Sequence, residues 1–158
     1  MASERRLALL AHNVRSLWNV GAFFRTCDAF QVERLYLTGY TGFPPRKEIS
    51  KTALGAEEHV PWEHHEDPLP LVQRLRGERW HVASLEVIAS ATPLENFTPP
   101  ERLLLLVGHE LTGVPHTLLS CSDSVLKIAM LGSKESLNVA VAAGVALWHM
   151  RFFPRGKP

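Results

Sequence analysis

Residues 103–113 read Leu-Leu-Leu-Leu-Val-Gly-His-Glu-Leu-Thr-Gly, an apolar run that changes abruptly into a polar segment. Five consecutive apolar residues followed by a turn predict a strand buried on both faces, and we expect it to be the central strand of a sheet. Gly108 lets a ligand approach the backbone, and parallel sheets bind ligands beyond the carboxyl ends of their strands. The segment 108–113 is therefore a candidate binding segment, although a plain turn with an exposed Glu110 fits the same residues.

The rest of the chain alternates between predicted strands and predicted helices. Further strands are predicted over residues 7–11, 35–37, 80–87 and 124–130. Helices are predicted over residues 19–30, 68–76, 115–121 and 137–153, and residues 49–57 form a short ambiguous segment. Such alternation is typical of an α/β fold in which helices cover both faces of a parallel sheet. The length of 158 residues, without a visible linker or repeat, predicts a single domain over residues 1–158.

Composition narrows the class of protein. Hydrophobic residues make up 46% of the chain, as in soluble globular proteins, and no apolar run reaches the ~18–20 residues that span a bilayer. The first six residues lack the pattern of a signal peptide. Two distant cysteines, Cys27 and Cys121, do not make a disulfide framework. We expect a cytoplasmic protein without membrane contact.

Charge is unevenly distributed along a chain whose net charge is only +1. Residues 1–51 carry eight Lys or Arg against four acids, residues 52–150 carry six against twelve, and the tail adds Arg151, Arg155 and Lys157. This asymmetry is compatible with one basic face that binds phosphates, and equally with scattered solvated charge.

A first polar cluster lies in the helix predicted over residues 19–30. Asn19 is suited to cap the start of that helix, because its side chain accepts hydrogen bonds from free backbone donors. Arg25 stands in an otherwise apolar stretch and needs a partner there, either a carboxylate or a phosphate. Glu110 is a candidate for that carboxylate. The structural reading of the same residues is a capping Asn and a surface Arg.

A further polar cluster, Ser136-Leu137-Asn138, opens the last predicted helix. Ser136 is a plausible cap and Asn138 falls in the first turn. The small residues at positions 139–146 allow close packing against another backbone or a partner helix. We expect no metal, since the adjacent His64 and His65 of the segment 63–67 point to different sides, and such a segment usually forms a solvated loop.

Three polar segments, in their order along the chain, carry a family resemblance: residues 19–25, 108–113 and 136–138. They resemble the signature motifs of the SpoU/TrmH family of RNA ribose methyltransferases, in the SPOUT superfamily. The run Asn13-Val14-Arg15-Ser16-Leu17-Trp18-Asn19-Val20-Gly21 resembles the first motif, and Lys51-Thr52-Ala53-Leu54-Gly55-Ala56-Glu57 is similar to a segment of small TrmH-like proteins. Two positions depart from the pattern. Gln31 stands where these proteins usually have Gly, and Ala129 interrupts the usual Ile-Pro-Met run.

The resemblance implies a C-terminal trefoil knot, a homodimer, S-adenosylmethionine as cofactor and RNA, either tRNA or rRNA, as substrate. By matching motifs, it implies cofactor contacts from Leu85, Gly108, Ile128 and Leu137. It also implies that Arg25 acts at the ribose 2′-hydroxyl, with Asn19, Glu110, Ser136 and Asn138 orienting Arg25, the ribose and the cofactor. Because a free Arg is a poor base, we interpret Arg25 first as an electrostatic positioner of phosphate and developing alkoxide.

Two other classes of function remain as alternatives. One is a SPOUT-like RNA-binding module without catalysis, against which Arg25, Glu110, Ser136 and Asn138 argue. The other is a generic nucleotide-binding α/β domain, against which the absence of Gly-x-Gly-x-x-Gly and Walker sequences argues.

Overall fold

The computed structural model describes residues 4–156, so residues 1–3 and 157–158 of the predicted domain, with Lys157 of the basic tail, lie outside it. The described strands are β1 (Arg6–His12), β2 (Arg34–Thr38), β3 (Trp62–His65), β4 (His81–Leu85), β5 (Thr92–Pro93), β6 (Arg102–Val107) and β7 (Ser124–Lys127). The described helices are α1 (Leu17–Ala29), α2 (Lys47–Ala53), α3 (Pro68–Gly77), α4 (His116–Leu119) and α5 (Val139–Phe152).

The strands form one parallel sheet in the order β3-β2-β1-β6-β4-β7-β5. Strand β6 occupies the middle position and pairs with β1 over its whole length, from Arg6 opposite Arg102 to Ala11 opposite Val107. The central strand predicted from the leucine run is therefore confirmed. Because these strands are all parallel, the carboxyl ends of β2, β1, β6, β4 and β7 lie at one edge of the sheet.

Alternate residues of the central strands face two separate cores, as a sheet covered on both faces requires. Leu7 and Leu9 of β1 pack in the core formed with α1, α2 and α5. Leu10 of β1 and Leu104 of β6 pack in the core formed with α3 and α4. The prediction of helices on both faces is confirmed.

Several predicted boundaries were wrong. The strands predicted over 80–87 and 124–130 end earlier, at Leu85 and Lys127, and the residues that follow each strand turn into loops at the sheet edge. Residues 49–57 resolve into the end of α2 and a 3-10 turn, Ala56–Glu58. The segment 63–67 was expected to be a solvated loop. Its residues 63–65 instead belong to β3, where they pair with β2 and have half-buried side chains. His64 also contacts the loop that follows β2.

The small residues of α5 pack against other parts of the same chain, which is one of the two possibilities that the sequence left open. Ala143 and Ala146 are fully buried in the protein's own core, and Gly144 faces Thr26 of α1. Small side chains at these positions bring α5 close to α1, so they are not available to a partner helix. The exposed apolar residues of α5 are the larger ones, Val141, Val145, Trp148 and Phe152.

Two arginines hold the amino-terminal edge of the fold together. Arg5, which is 6% exposed, donates to the carbonyl oxygens of Pro99, Met150 and Phe153. Arg151, near the end of α5, donates to the carbonyl oxygens of Phe30, Gln31 and Arg5. These bonds satisfy carbonyls that end α1 and α5 and would otherwise lack donors.

Within residues 4–156, no helix combines the length and the apolar character needed to cross a membrane.

Candidate active site

A pocket of about 310 Å³ lies at the carboxyl ends of β4, β6 and β7, against the start of α5. It is lined by Leu85, Glu86, Val87, Val107, Gly108, His109, Glu110, Leu111, Gly113, Lys127, Ile128, Met130, Glu135, Ser136, Leu137, Asn138, Val139 and Ala142. All three strands run in parallel, so the loops that follow them converge on this volume. A pocket at this position is the expected ligand site of an open parallel sheet.

Most of the residues predicted to form the site line this pocket. They include all four predicted cofactor contacts, Leu85, Gly108, Ile128 and Leu137. Glu110, Ser136 and Asn138 line it as well. Asn19 and Arg25, both on α1, do not belong to the lining.

Glu110 connects the pocket to the start of α1. Its carboxylate accepts hydrogen bonds from the backbone N–H groups of Arg15 and Ser16, each at 3.0 Å, and from Asn19 Nδ2 at 3.1 Å. Burial alone would raise the pKa of the Glu110 carboxyl, but the backbone donors of Ser16 and Arg15 outweigh it and hold that pKa below the ordinary value. The charged carboxylate is therefore the form that this network stabilises.

Asn19 and Asn138 extend the network to α5. Asn138 Oδ1 accepts from the backbone N–H groups of Ala140 and Val141, which leaves its Nδ2 to donate to Asn19 Oδ1 at 3.2 Å. Asn19 Nδ2 then faces Glu110. The orientation of both amides follows from the fixed donors at one end and the carboxylate at the other.

The helix caps differ from those predicted. Ser16, and not Asn19, caps α1, since its hydroxyl accepts from Asn19 N at 3.2 Å. Asn138, and not Ser136, caps α5, which begins at Val139. In both cases the cap is the last residue before the helix, whose backbone is not yet helical. Helix α1 begins at Leu17, earlier than the apolar spacing indicated, and α5 begins at Val139, later than indicated. Asn19 is thereby free to bind Glu110.

Arg25 lies in a different environment from the one expected. Its side chain is exposed, and among residues 4–156 it has no hydrogen bond or ion pair. The expected pairing with Glu110 is wrong, because the carboxylate of Glu110 is already engaged by α1. On a helix, the apolar neighbours of Arg25 in sequence face the core while Arg25 itself faces solvent.

Glu86 is a pocket residue that the sequence analysis missed. Its carboxylate accepts from Val114 N at 2.7 Å and thus holds the loop after β6 next to the loop after β4. Gly113 has φ +72°, and a Cβ there would collide with the carboxylate of Glu86. The signal was available, since Glu86 is a charged residue directly after a buried strand, in the same kind of position as Glu110.

His109 has two roles. It lines the pocket, and its Nδ1 accepts from the backbone N–H groups of Leu111 and Thr112 at 3.0 and 3.1 Å. Those bonds shape the turn from 109 to 113, which a short antiparallel bridge between His109 and Gly113 closes. The ring Nε2 is the nitrogen that then carries the proton in the neutral form.

The histidines of β3 do not form a ligand group. His64 Nε2 contacts the carbonyl oxygen of Gly39 and His65 Nε2 contacts Glu63. No cluster of three or more His, Cys, Asp or Glu side chains suited to a metal occurs in the described part of the chain.

The chain is similar to known proteins in both sequence and fold. Residues 6–148 match the model of the SpoU rRNA Methylase family. The chain is 31% identical over 151 residues to the 23S rRNA (guanosine(2553)-2′-O)-methyltransferase RlmP of Bacillus subtilis, covering 96% of this chain and 60% of that protein. It is 31% identical over 142 residues to the tRNA (guanosine(18)-2′-O)-methyltransferase of Thermus thermophilus, covering 90% of this chain and 72% of that protein.

Solved structures show the same fold. The SpoU methyltransferase AviRb of Streptomyces viridochromogenes in complex with AdoMet superposes with a TM-score of 0.85 at 22% identity, over 95% of this chain and 58% of that one. The TrmH/SpoU tRNA modifying enzyme of A. aeolicus gives a TM-score of 0.84 at 27% identity, over 94% of this chain and 76% of that one. The chain thus spans about three fifths of the rRNA relative and of AviRb.

Proposed function

We propose that this chain, which belongs to the SpoU rRNA Methylase family, transfers a methyl group from S-adenosylmethionine to a ribose 2′-hydroxyl of tRNA or rRNA. The observation that carries the proposal is the pocket at the carboxyl ends of β4, β6 and β7, into which seven of the nine predicted site residues converge. The relatives named above act on rRNA and on tRNA, and each is named as a 2′-O-methyltransferase. The C-terminal trefoil knot is likewise proposed from family membership.

The chemistry of the pocket fits this cofactor. S-adenosylmethionine supplies an activated methyl group on a cationic sulfonium. The pocket is lined by three carboxylates, Glu86, Glu110 and Glu135, against one lysine, Lys127, and such a balance favours a cationic ligand. Its apolar lining, with Leu85, Ile128 and Leu137 among it, suits an adenine ring and a methionine chain. Gly108 would contribute through its backbone, because a side chain there would collide with the carbonyl oxygen of Gly113.

The remaining predicted site residues have separate roles in this proposal. Arg25 would position an RNA phosphate and stabilise the developing alkoxide, and its exposed, unpaired guanidinium in the described chain is available for that contact. Glu110, Asn19 and Asn138 would fix the start of α1 against the pocket. Ser136 is exposed on the pocket rim and would contact the ribose or the cofactor.

The unpaired cations of the described chain support an RNA partner. Arg6 and Arg34 bind Glu33 and Glu63, so they contribute little to a basic face. Five exposed cations that have no such partner among the described residues lie in or next to α1 and α2: Arg15, Arg25, Arg46, Lys47 and Lys51; Arg79 and Lys134 are exposed elsewhere. Clustered cations of this kind bind phosphate backbones without reading sequence.

We also propose a homodimer. Val141, Val145, Trp148 and Phe152 are spaced as one stripe along α5, and all four are exposed. Trp148 and Phe152 contact each other, and Phe152 contacts Phe30, the residue that follows α1, so the stripe extends to the end of the neighbouring helix. An exposed apolar stripe of this size on a soluble domain is typical of an association surface. Light scattering that gives the monomer mass across micromolar dilutions would contradict it.

Cofactor binding tests the central proposal. Saturating S-adenosylmethionine at about 100 times its Kd should add about 2.7 kcal/mol of stability and raise Tm by roughly 5–10 °C, whereas NAD and ATP should not. Gly108→Ala should weaken cofactor binding, and Gly77→Ala, where a Cβ meets no atom within 4 Å, serves as its control. No stabilisation and no calorimetric heat with S-adenosylmethionine or its demethylated product would refute the proposal.

Mapping of ribose methylation by mass spectrometry, in RNA from cells that lack the gene, identifies the substrate. A missing 2′-O-methyl group that purified protein and cofactor restore would support methyl transfer. RNA binding with cofactor binding but no transfer would instead support the non-catalytic RNA-binding module.

A further inference from the structure

The loop between β2 and α2, residues 39–46, carries two exposed aromatic rings. Phe43, which is 42% exposed, stacks on Trp62 of β3 with ring centroids 5.8 Å apart and also contacts His64 at 4.3 Å. Packing therefore accounts for Phe43. Tyr40 is 61% exposed and has a single aromatic contact, the edge of His109 at 6.4 Å. Packing within the protein therefore does not explain why an aromatic side chain stands at position 40.

The backbone holds Tyr40 in a fixed position. Its N–H donates to Asn13 Oδ1 at 3.0 Å, and the preceding Gly39 N–H donates to the carbonyl oxygen of His65 at 3.0 Å. Gly39 has φ +65°, and a side chain there would collide with Asn13. The hydroxyl of Thr41, which is 1% exposed, accepts from Val14 N and lies within hydrogen-bond distance of the carbonyl oxygen of Thr38. An exposed ring on so constrained a loop is preorganised, which lowers the entropic cost of binding.

Tyr40 lies beside the cofactor pocket. Asn13 follows β1, Gly39 follows β2 and Gly108 follows β6, so three adjacent parallel strands deliver these loops to the same edge of the sheet. His109, against which Tyr40 rests, lines the pocket itself. The ring is thus one residue contact away from the proposed site of methyl transfer.

The charges around Tyr40 select the kind of partner. Arg46 lines the same shallow cavity as Tyr40 and Phe43, and Lys47 follows it at the start of α2. Both side chains are exposed and have no hydrogen bond or ion pair in the range 4–156, and residues 39–47 contain no acid. An exposed ring next to unpaired cations fits an unstacked nucleobase with its phosphates.

We propose that Tyr40 is a stacking platform for an unpaired nucleobase of the substrate RNA, close to the nucleotide that is methylated, with Arg46 and Lys47 binding the adjoining phosphates. The proposal rests on the proposed RNA methyl transfer and adds a binding site that adjoins His109, a residue of the cofactor pocket. The platform recognises an exposed base face, so it requires the target nucleotide to lie in a single-stranded loop or end.

Three variants of Tyr40 test the platform. A short, unstructured, fluorescein-labelled oligoribonucleotide serves as the binding probe, measured by fluorescence anisotropy at fixed salt. Tyr40→Ala should weaken binding roughly tenfold, and Tyr40→Leu should weaken it similarly because it keeps an apolar side chain but no aromatic face. Tyr40→Phe keeps the ring and should stay within about twofold of the unmodified protein. Leu54→Ala, an exposed apolar residue outside the loop, is the matched control.

The outcomes separate this proposal from the proposed function. Affinity for S-adenosylmethionine and Tm should be unchanged in all four variants, while the KM for total tRNA or ribosomal RNA should rise in Tyr40→Ala. Unchanged RNA binding in Tyr40→Ala, or full binding in Tyr40→Leu, would overturn the platform. RNA binding by the unmodified protein without cofactor binding or methyl transfer would overturn the proposed function, and the same binding comparison would still decide the platform.

Discussion

The two edges of the parallel sheet use arginine in opposite ways. At the amino-terminal edge, Arg5 and Arg151 spend their donors on the protein's own backbone, six bonds in all to carbonyl oxygens. At the carboxyl-terminal edge, the charged group that binds backbone is the carboxylate of Glu110. Arg15 and Arg46, in the loops after β1 and β2 at that edge, have exposed side chains without a hydrogen bond or ion pair to the described residues, and so does Arg25 in the second half of α1.

This difference shows that the type of a residue does not reveal its role, whereas its bonded state does. A guanidinium that donates three hydrogen bonds to backbone carbonyls, as in Arg5 and Arg151, contributes to stability and has fewer donors left for a ligand. An exposed guanidinium contributes little to stability and remains available for phosphate. Substitutions at the two edges should therefore change different measurements.

The largest effect is expected at Arg25. Arg25→Ala should lower the rate of methyl transfer on the order of 100-fold or more, because it removes the charged contact to phosphate and the attacking oxygen that we propose for this residue. Cofactor affinity and Tm should stay unchanged, since the side chain is exposed and unpaired in the described chain. Arg25→Lys should recover only part of the rate, because a point charge does not replace the planar fork.

Single-turnover methyl transfer, together with calorimetry of cofactor binding, measures this effect. Arg74→Ala, an exposed arginine of α3 on the other face of the sheet, is the control and should leave the rate unchanged. A folded Arg25→Ala protein with normal cofactor affinity and near-normal turnover would refute the catalytic role of Arg25. A large loss of Tm would show that it is structural.

Arg151→Ala should give the opposite pattern. Three carbonyl oxygens at the ends of α1 and β1 would lose their donor, at a cost of about 2 kcal/mol and a fall in Tm of roughly 4–8 °C. Turnover per folded molecule at low temperature should be unaffected. Thermal unfolding followed by circular dichroism measures the change, and a variant that loses turnover while keeping its Tm would break the contrast between the two edges.

Glu110→Gln should alter the pH dependence of stability. The folded-state pKa of Glu110 lies below its ordinary value of 4.5, so the carboxylate stabilises the fold above that pH and loses this contribution as pH falls through the lower folded-state pKa. The amide variant should be about 1.5 kcal/mol less stable near pH 7 and should lose less stability on acidification. Urea unfolding at pH 7 and below pH 4.5 measures both differences.

The control for Glu110 is another carboxylate of the same pocket. Glu135 is exposed and makes no hydrogen bond to the described residues, so Glu135→Gln should leave the free energy of unfolding unchanged. Equal acid sensitivity of the Glu110 variant and the unmodified protein would show that the bonds to Arg15 and Ser16 contribute nothing.

The smallest effect is expected at Gln31, at the amino-terminal edge. Its φ of +53° lies in the left-handed region, which costs a side chain about 1 kcal/mol and costs Gly nothing. Gln31→Gly should therefore raise Tm by a few degrees at most, since its carbonyl still accepts from Arg151. A fall in Tm would show that the side chain of Gln31 makes a favourable contact larger than this strain.

Much of the architecture was predictable from local sequence. Residues 103–107 lie in β6 because uninterrupted apolar residues suit a strand covered on both faces. The alternation of most strands and helices along the chain was also predictable from periodicity. The segment after β6 was predictable because ligands of parallel sheets bind at the carboxyl ends of strands, whereas Leu85, Ile128 and Leu137 were predicted from the family resemblance. Family resemblance added the chemistry that periodicity does not carry.

The sequence by itself therefore determined the type of fold, the edge that carries the site and most of the residues in it. The tertiary structure decided which groups meet: Glu110 binds backbone 95 residues away, Asn138 binds Asn19 across 119 residues, and Arg151 binds the carbonyl of Arg5 across 146. It also left Arg25 in solvent and gave the caps to Ser16 and Asn138. The physical reason is that a hydrogen bond requires its donor and acceptor to be placed to within a few tenths of an ångström. The order of the strands in the sheet brings the two segments together, and local periodicity contains no information about that order.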